Sequence, residues 1–317
     1  MPALVSVCCI TYNHAKFVRK AIDSMLAQNT TFDVEIVIGE DCSTDGTKDI
    51  VNDYKKTYPN KVRIIDSESN VGMMRNFSRT LNACEGKYIA ILEGDDFWTD
   101  NSKLQKQVEF LEKNPEYAIT YHKIALLGFD SDEIIGHWPP QARSSSTIEE
   151  LAIGNLVPTL SCVFRNNIKG NIPDWFTSVP LGDYSLHMLM ARHGKIKYFP
   201  QTMATYRQHS TGEYSKLTKL HQSRQLFDTI QIIKQEFEGE ILRNLEMQQF
   251  KALINVIKHA EPDYKKRFAE NSTENLFQLL ENLWPDISSN FSFTQSKIGS
   301  TALKAQSFLD AVRSSGK

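Results

Sequence analysis

Three carboxylates crowd around one glycine in Glu93-Gly94-Asp95-Asp96, immediately after the apolar run Lys87 to Leu92. Anions held this close repel one another, so the segment reads either as a solvated acidic turn or as the ligand set of a hard cation. Mg²⁺ or Mn²⁺ suits such oxygens, and Mg²⁺ typically combines one or two carboxylates with waters and substrate phosphate oxygens. A second polar segment, Glu40-Asp41-Cys42-Ser43-Thr44-Asp45-Gly46-Thr47, also follows an apolar run and opens a helical one. There Asp41 can accept the N–H of a base or a ribose hydroxyl, while Ser43 or Thr44 can cap the helix. Two further polar exits are Thr11-Tyr12-Asn13-His14 and Asp66.

Short apolar runs alternating with segments of helical period must position these groups. Leu4 to Ile10, Val34 to Ile38, Val62 to Ile65 and Lys87 to Leu92 read as strands. Lys16 to Ala27, a segment from about Asp45, and Val71 to Cys84 read as helices. This is β-α repeated through four strands, an α/β class with a mainly parallel sheet. In open sheets of this kind ligands bind beyond the carboxyl ends of the strands, where all four polar exits fall. Past Asp96 the alternation loosens into a mixed pattern. A helix near Leu104 to Glu112 precedes strands at Tyr117 to Leu127 and Glu133 to Trp138, and a Ser-rich turn at Ser144 to Ser146. Apolar segments at Thr159 to Phe164 and Lys195 to Tyr198 then bracket a helix from Tyr184 to Arg192. From about Lys216 helix formers dominate, with Leu226, Ile230, Ile233 and Phe237 on one stripe. The sequence therefore divides into a domain over 1–215 and a helical region over 216–317, broken near Pro262 and Pro285.

The motifs in this order resemble family 2 glycosyltransferases from Val5 through Gln107, and more weakly to about Ser215. Val5-Ser6-Val7 leading to Thr11-Tyr12-Asn13 is similar to the family's opening strand and nucleotide loop. Glu40 to Thr47 resembles its D-D-G-S-T-D-G-T segment, and Asn70-x-Gly72 with Arg75-Asn76 resembles its N-x-G-x-x-x-A-R-N stretch. Glu93-Gly94-Asp95-Asp96 resembles its D-x-D-D motif, followed by Lys103-Leu104-Gln105-Lys106-Gln107 for K-L-x-K-Q. Leu181-Gly182-Asp183 lies where the family carries its base, and Tyr206-Arg207-Gln208-His209 resembles its Y-R-x-H segment.

The resemblance implies a GT-A fold and an inverting transfer of one sugar from a nucleotide diphosphosugar to a saccharide or lipid-linked saccharide acceptor, plausible in bacterial surface polysaccharide or lipooligosaccharide assembly. It implies donor contacts from Thr11, Tyr12, Asn13, Asp41, Arg75, Glu93, Asp95 and Arg207. It places Mn²⁺ or Mg²⁺ on Asp95, with Asp96 as a water-bridged helper and His209 as a further contact. Asp183 becomes the base, although its place before a helix also suits an N-cap. Trp98, Trp138, Trp175 and Phe176 are aromatic candidates for sugar faces, the Trp175-Phe176 pair being the most loop-like. Glu93, Glu40, Cys42 and Gly182 depart from the pattern, and the absence of Q-x-x-R-W argues against a processive synthase. Two competing readings are a nucleotidyltransferase, which usually carries a glycine-rich loop where Thr11 to His14 has none, and a carbohydrate-binding scaffold on a degenerate transferase domain.

Composition bounds the rest. Hydrophobic residues at 41% and charged residues at 23% suit a globular chain, and a net charge of −2 gives no pull toward nucleic acid. Cys8, Cys9, Cys42, Cys84 and Cys162 are odd in number with no C-x-x-C pair, so they read as reduced thiols of a cytoplasmic protein. Neither a secretion signal nor a membrane span is recognisable. The helical region could brace the catalytic domain, form a homodimer, or lie peripherally on the inner face of the membrane.

Overall fold

Strand β1 (Val5–Thr11) is buried along its whole length, so both its faces must be covered. Its side chains alternate, Val5, Val7 and Cys9 entering one apolar cluster and Cys8 and Ile10 the other. The computed structural model, which describes residues 3–260, shows what lies on each side. Helix α1 (Val18–Leu26) turns Val18, Ala21, Ile22 and Met25 inward, the i, i+3, i+4, i+7 stripe of an amphipathic helix. Strand β2 (Val34–Glu40) pairs parallel with β1, helix α2 (Thr47–Thr57) returns the chain, and β3 (Val62–Ile65) pairs parallel with β2. Helix α3 (Met73–Ala83) gives Phe77 and Leu81 to the other cluster, and β4 (Tyr88–Ile91) joins β1 on its free side.

Close approach of α3 to the sheet has a local cause. Asn76 donates through Nδ2 to the Gly39 carbonyl at 2.9 Å, and a Cβ at Gly39 would collide with the side chains of Asn76 and Thr80. Only glycine admits the helix there.

Beyond β4 come β5 (Phe97–Trp98), α4 (Lys103–Lys113), β6 (Tyr117–Phe129), β7 (Ile134–Trp138), β8 (Ser145–Ser146), α5 (Ile148–Leu151), β9 (Val163–Arg165), α6 (Gly182–Ala191) and β10 (Lys195–Gln208). Among the described residues the strands form one ten-stranded sheet, ordered β3-β2-β1-β4-β9-β6-β10-β5, with β7 on β6 and β8 on β10. Its longer pairings are parallel, while β9 runs antiparallel to both β4 and β6. This is the mixed, helix-flanked sheet expected.

Several boundaries differ from the sequence reading. Phe97–Trp98 is an additional short strand, and Ser145–Ser146 pairs with β10 where a turn was expected. Thr159 to Phe164 is not one strand, because Thr159–Ser161 makes a 3-10 turn and β9 starts at Val163. The strand expected to end at Tyr198 runs on to Gln208. Pro200 does not stop it, since the register shifts between Phe199 and Thr202 and absorbs the proline in an irregularity. Helix α2 starts from Gly46, not from Ser43 or Thr44, whose polar groups bond to Asn13 instead.

Helices α7 (Lys219–Ile233) and α8 (Gly239–Ala260) follow. Ile230, Ile233, Phe237 and Leu245 share the cluster that holds Phe77. Thr229 accepts the Leu181 N–H, and the Tyr184 hydroxyl donates to Gln248. The chain divides into one unit ending at Leu253 and another beginning at Ile254. The breaks expected near Pro262 and Pro285, and with them most of the proposed dimer or membrane surface, lie outside the described residues.

Candidate active site

The exits of β1, β2 and β4 lie side by side because those strands are adjacent, and polar side chains knit them together. Asn13, in the left-handed region at φ 55°, accepts the Thr44 N–H through Oδ1 at 2.9 Å, while its own N–H donates to Ser43 Oγ. The His14 N–H donates to Thr47 Oγ1 at 2.8 Å, and the Ala15 N–H to Asp45 Oδ2. Glu40 closes its own turn by accepting the N–H groups of Cys42 and Ser43. Cys42 takes φ 60° where the family pattern has glycine.

Asp41 is 1% exposed, and its two oxygens accept the N–H groups of Val71 and Gly72 at 2.9 and 3.0 Å. It therefore fixes the loop before α3. Arg79, which the sequence reading did not single out, spans the same corner. It donates to the carbonyls of Asp66 and Glu40 and to Asn76 Oδ1. Arg75 is exposed on α3, and Tyr12 is 40% exposed at the β1 exit.

At the β4 exit, ligand atoms of Glu93, Asp95 and Asp96 lie within 4.8 Å of one another. Gly94 is a glycine because its backbone passes against β1: a Cβ there would sit 2.6 Å from Thr11 Oγ1 and 3.0 Å from His14 Nδ1. Asp95 Oδ2 faces His209 Nε2 at 3.0 Å and His14 Nε2 at 3.7 Å. His14 is thus a member of the cluster that sequence reasoning passed over, although it stood at a strand exit. His209 comes from just beyond β10 and is held by Thr211 at Nδ1 and by the ring of Phe17 at 4.7 Å.

Asp96 is 2% exposed, and its Oδ1 accepts the Arg207 N–H at 2.9 Å. The Arg207 guanidinium lies between Phe17 and Phe97 and reaches Asp132 at 3.1 Å. The β6–β7 turn supports the same stretch, since the Asp130 N–H donates to the Gln208 carbonyl and Asp130 Oδ1 accepts the Ser210 N–H.

The electrostatics of this corner are those of too many anions. Burial, then the charges of Asp95 and Asp183, push Glu93 up to about 8. Burial, with Asp95 and Glu93, holds Asp96 well above the usual carboxylate range. For Asp95 burial acts in the same direction, but His14 and His209 outweigh it and keep its carboxyl low. Among the buried polar atoms here without a hydrogen-bond partner are Asp95 Oδ1, Asp96 Oδ2, Thr11 Oγ1 and His14 Nδ1. Unpaired carboxylate oxygens beside two imidazoles are a donor set that fits a divalent cation of the Mn²⁺ or Mg²⁺ kind.

Asp183 is the second residue of α6, but it does not cap that helix. Leu181 occupies the N-cap position, and Asp183 Oδ2 accepts from Thr159 Oγ1 at 3.0 Å and Asn155 Nδ2 at 3.3 Å. Neither partner was singled out from sequence. A Cβ at Gly182 would press on the end of the Met74 side chain and on Phe77, which would have to shift to admit the acid that often precedes the base.

Two of the aromatic candidates belong to the core. Phe176 is fully buried beside Phe77, and Trp98 is 4% exposed with its Nε1 donating to the Leu160 carbonyl. The Trp175-Phe176 stretch is a 3-10 turn, not an open loop, and Trp175 donates to Glu236. Trp138 is 46% exposed on β7.

Known proteins share this architecture. A sequence profile described as glycosyl transferase family 2 matches residues 6–165. An uncharacterized protein of Mycobacterium tuberculosis is 36% identical over 208 residues, covering 66% of this chain and 60% of the other. A putative teichuronic acid biosynthesis glycosyltransferase, TuaG, of Bacillus subtilis is 33% identical over 155 residues, covering 48% and 60%. The chain thus spans about 60% of the length of these relatives. Among solved structures, a mannosyltransferase from Pyrobaculum calidifontis in complex with GDP-mannose and Mn²⁺ superposes with a TM-score of 0.59 at 15% identity, covering 99% of this chain and 87% of that one. The profile spans half of the sequence, β1 through β9, and includes the acidic exit of β4, so the chain belongs to glycosyl transferase family 2.

Proposed function

We propose that this chain is a metal-dependent, inverting glycosyltransferase that moves one sugar from a nucleotide diphosphosugar to an acceptor hydroxyl. The observation that carries the reading is the β4 exit, where three carboxylates and two histidines converge and leave two carboxylate oxygens without partners. Asp95, with Asp96, Glu93 and His209, would hold Mn²⁺ or Mg²⁺, which when bound would supply Lewis acidity to a departing diphosphate. The chain's own groups do the rest. Tyr12, Asn13 and Arg75 face the nucleotide side, over loops that the buried Thr11 and Asp41 help to tie together. The Arg207 backbone fixes Asp96, while its guanidinium adds positive charge beside the diphosphate. Asp183 takes the acceptor proton. Its charge is felt at Glu93, so it borders the same space, and attack from its side inverts the anomeric carbon.

A lipid-linked or free saccharide in surface polysaccharide assembly is the acceptor we infer, a reading supported by the name of the Bacillus relative. Cytoplasmic placement, with peripheral contact to the inner face of the membrane, fits five free thiols. It also fits the finding that no helix among the described residues is long and apolar enough to cross a membrane.

Asp183→Asn tests the assignment. It should keep the melting shift produced by Mn²⁺ with GDP-mannose or UDP-GlcNAc, and lose about 10² to 10⁴ in transfer rate. Undiminished transfer would remove Asp183 as the base.

A further inference from the structure

We propose that Thr159 and Asn155 are the positioning residues of Asp183, and that a turn anchored by Trp98 and Gln107 sets where its carboxylate points. This rests on the reading of Asp183 as the acceptor-side base. A base must be aimed as well as ionised, because a carboxylate free to rotate spends little time within hydrogen-bond reach of an acceptor hydroxyl.

Asp183 has two oxygens with different surroundings. Oδ2 accepts from both Thr159 and Asn155, whereas Oδ1 takes no hydrogen bond from the described residues. Two donors on one oxygen fix the carboxylate plane and leave the other oxygen for a substrate. The Asn155 amide is itself oriented. Its Oδ1 accepts the Val157 N–H at 3.2 Å and faces His187 Nδ1 at 3.4 Å. A backbone N–H can only donate, so the amide nitrogen must be the atom turned to Asp183.

Thr159 opens the 3-10 turn Thr159–Ser161, and each of the next two carbonyls has a buried donor. Trp98 Nε1 donates to the Leu160 carbonyl at 2.9 Å, and Gln107 Nε2 to the Ser161 carbonyl at 2.9 Å. Gln107 also bonds Thr120 on β6. Trp98 and Gln107 are buried at 4% and 0% exposure, so the turn is pinned to the body of the fold. The chain of contact runs from α4 and β5 through three consecutive residues to one carboxylate oxygen.

The test is a pair of double-variant cycles on the full chain. Thr159→Val removes the hydroxyl at nearly constant volume, and Thr159→Ser restores it. In thermal melts without donor, Thr159→Val and Asp183→Ala should be non-additive, the double variant melting close to Asp183→Ala alone. In turnover, read as nucleoside diphosphate released from GDP-mannose or UDP-GlcNAc with Mn²⁺, Thr159→Val should lower kcat about tenfold at unchanged donor KM. Thr159→Ser should recover most of that loss, and Thr159→Val should change nothing further in the Asp183→Ala background. If Thr159→Val turns over like the parent while Asp183→Ala is inactive, the positioning role falls and the base stands. If Asp183→Ala is fully active, the base itself falls. Additive melting shifts, or an equal loss of turnover in both backgrounds, would reduce Thr159 to a structural residue.

Discussion

Buried polar atoms without partners occur at the β4 exit and again beneath α4, and the two places differ in everything else. At the exit they include Asp95 Oδ1, Asp96 Oδ2, Thr11 Oγ1 and His14 Nδ1; beneath α4 they are Lys103 Nζ, Gln107 Oε1 and His122 Nε2. The exit crowds like charges, with the Asp95 side chain still 18% exposed. Beneath α4 there is no carboxylate among these groups, and Lys103, Gln107 and His122 are all 0% exposed. Burial pulls Lys103 down to about 7 and His122 well below its usual value, so both groups of this second place are pushed toward their neutral forms. A deficit of hydrogen bonds therefore has two meanings. Where it coincides with uncompensated charge and access, it marks a place for a ligand. Where it is sealed and neutral, it suits internal water or a tolerated cost.

The sharpest way to break that contrast is to remove charge from the exit. Asp95→Asn should lower transfer by about 10² to 10³, roughly the 3 to 4 kcal/mol that one preorganised electrostatic contact contributes. It should also abolish the Mn²⁺-dependent melting shift and cost the metal-free protein some stability, since the contacts with His14 and His209 that keep the Asp95 carboxyl low are lost. A retained Mn²⁺ shift in this variant would place the cation elsewhere. Gly94→Ala probes the same corner without touching charge. Its Cβ would press on Thr11 and His14, so an overpacking cost of about 1 to 3 kcal/mol and a transfer loss above tenfold are expected. Wild-type melting and turnover would show that the exits of β1 and β4 need not touch.

How far each region could be read from the sequence follows from the same physics. The first four strands were legible because each is a short, mostly apolar run ending abruptly in polar residues, and Val5–Thr11 and Tyr88–Ile91 are buried along their whole length. The acidic exit was legible because Glu93, Asp95 and Asp96 are adjacent in the chain. His14 was not assigned to it, since the two exits meet only through the parallel pairing of β1 with β4, which residues so far apart in the chain do not announce locally. Thr159 and Asn155 were out of reach for a stronger reason. Their link to Asp183 joins residues 24 and 28 positions apart, and no local pattern encodes that pairing. Phe176 was misread as loop because Pro173 and Asp174 carry turn signals, whereas the 3-10 turn they start points Phe176 into the core. The long β10 was cut short because only Lys195 to Tyr198 reads as an apolar segment, while the strand continues through a register irregularity at Pro200 into the polar stretch up to Gln208.

The smallest expected effect tests the sealed region. Lys103 Nζ lies 4.2 Å from the centre of the Trp98 ring, an attraction that offsets part of the cost of burying an ammonium. Burial dominates nonetheless, only partly opposed by Cys162, and brings the group from 10.5 to about 7. Between those values the unfolded chain binds a proton that the native protein lacks, so Lys103 makes stability rise with pH across that interval. Below about 7 both states hold the proton and the penalty is constant. Lys103→Met fills the same space without a charge. It should stabilise the protein at pH 6 by on the order of 1 to 2 kcal/mol, and the gain should shrink as pH approaches 10. Urea denaturation midpoints of the two proteins across that range measure it. A gain that does not change with pH would mean that the ammonium stays charged and solvated beneath α4, and the two regions would then be alike in kind.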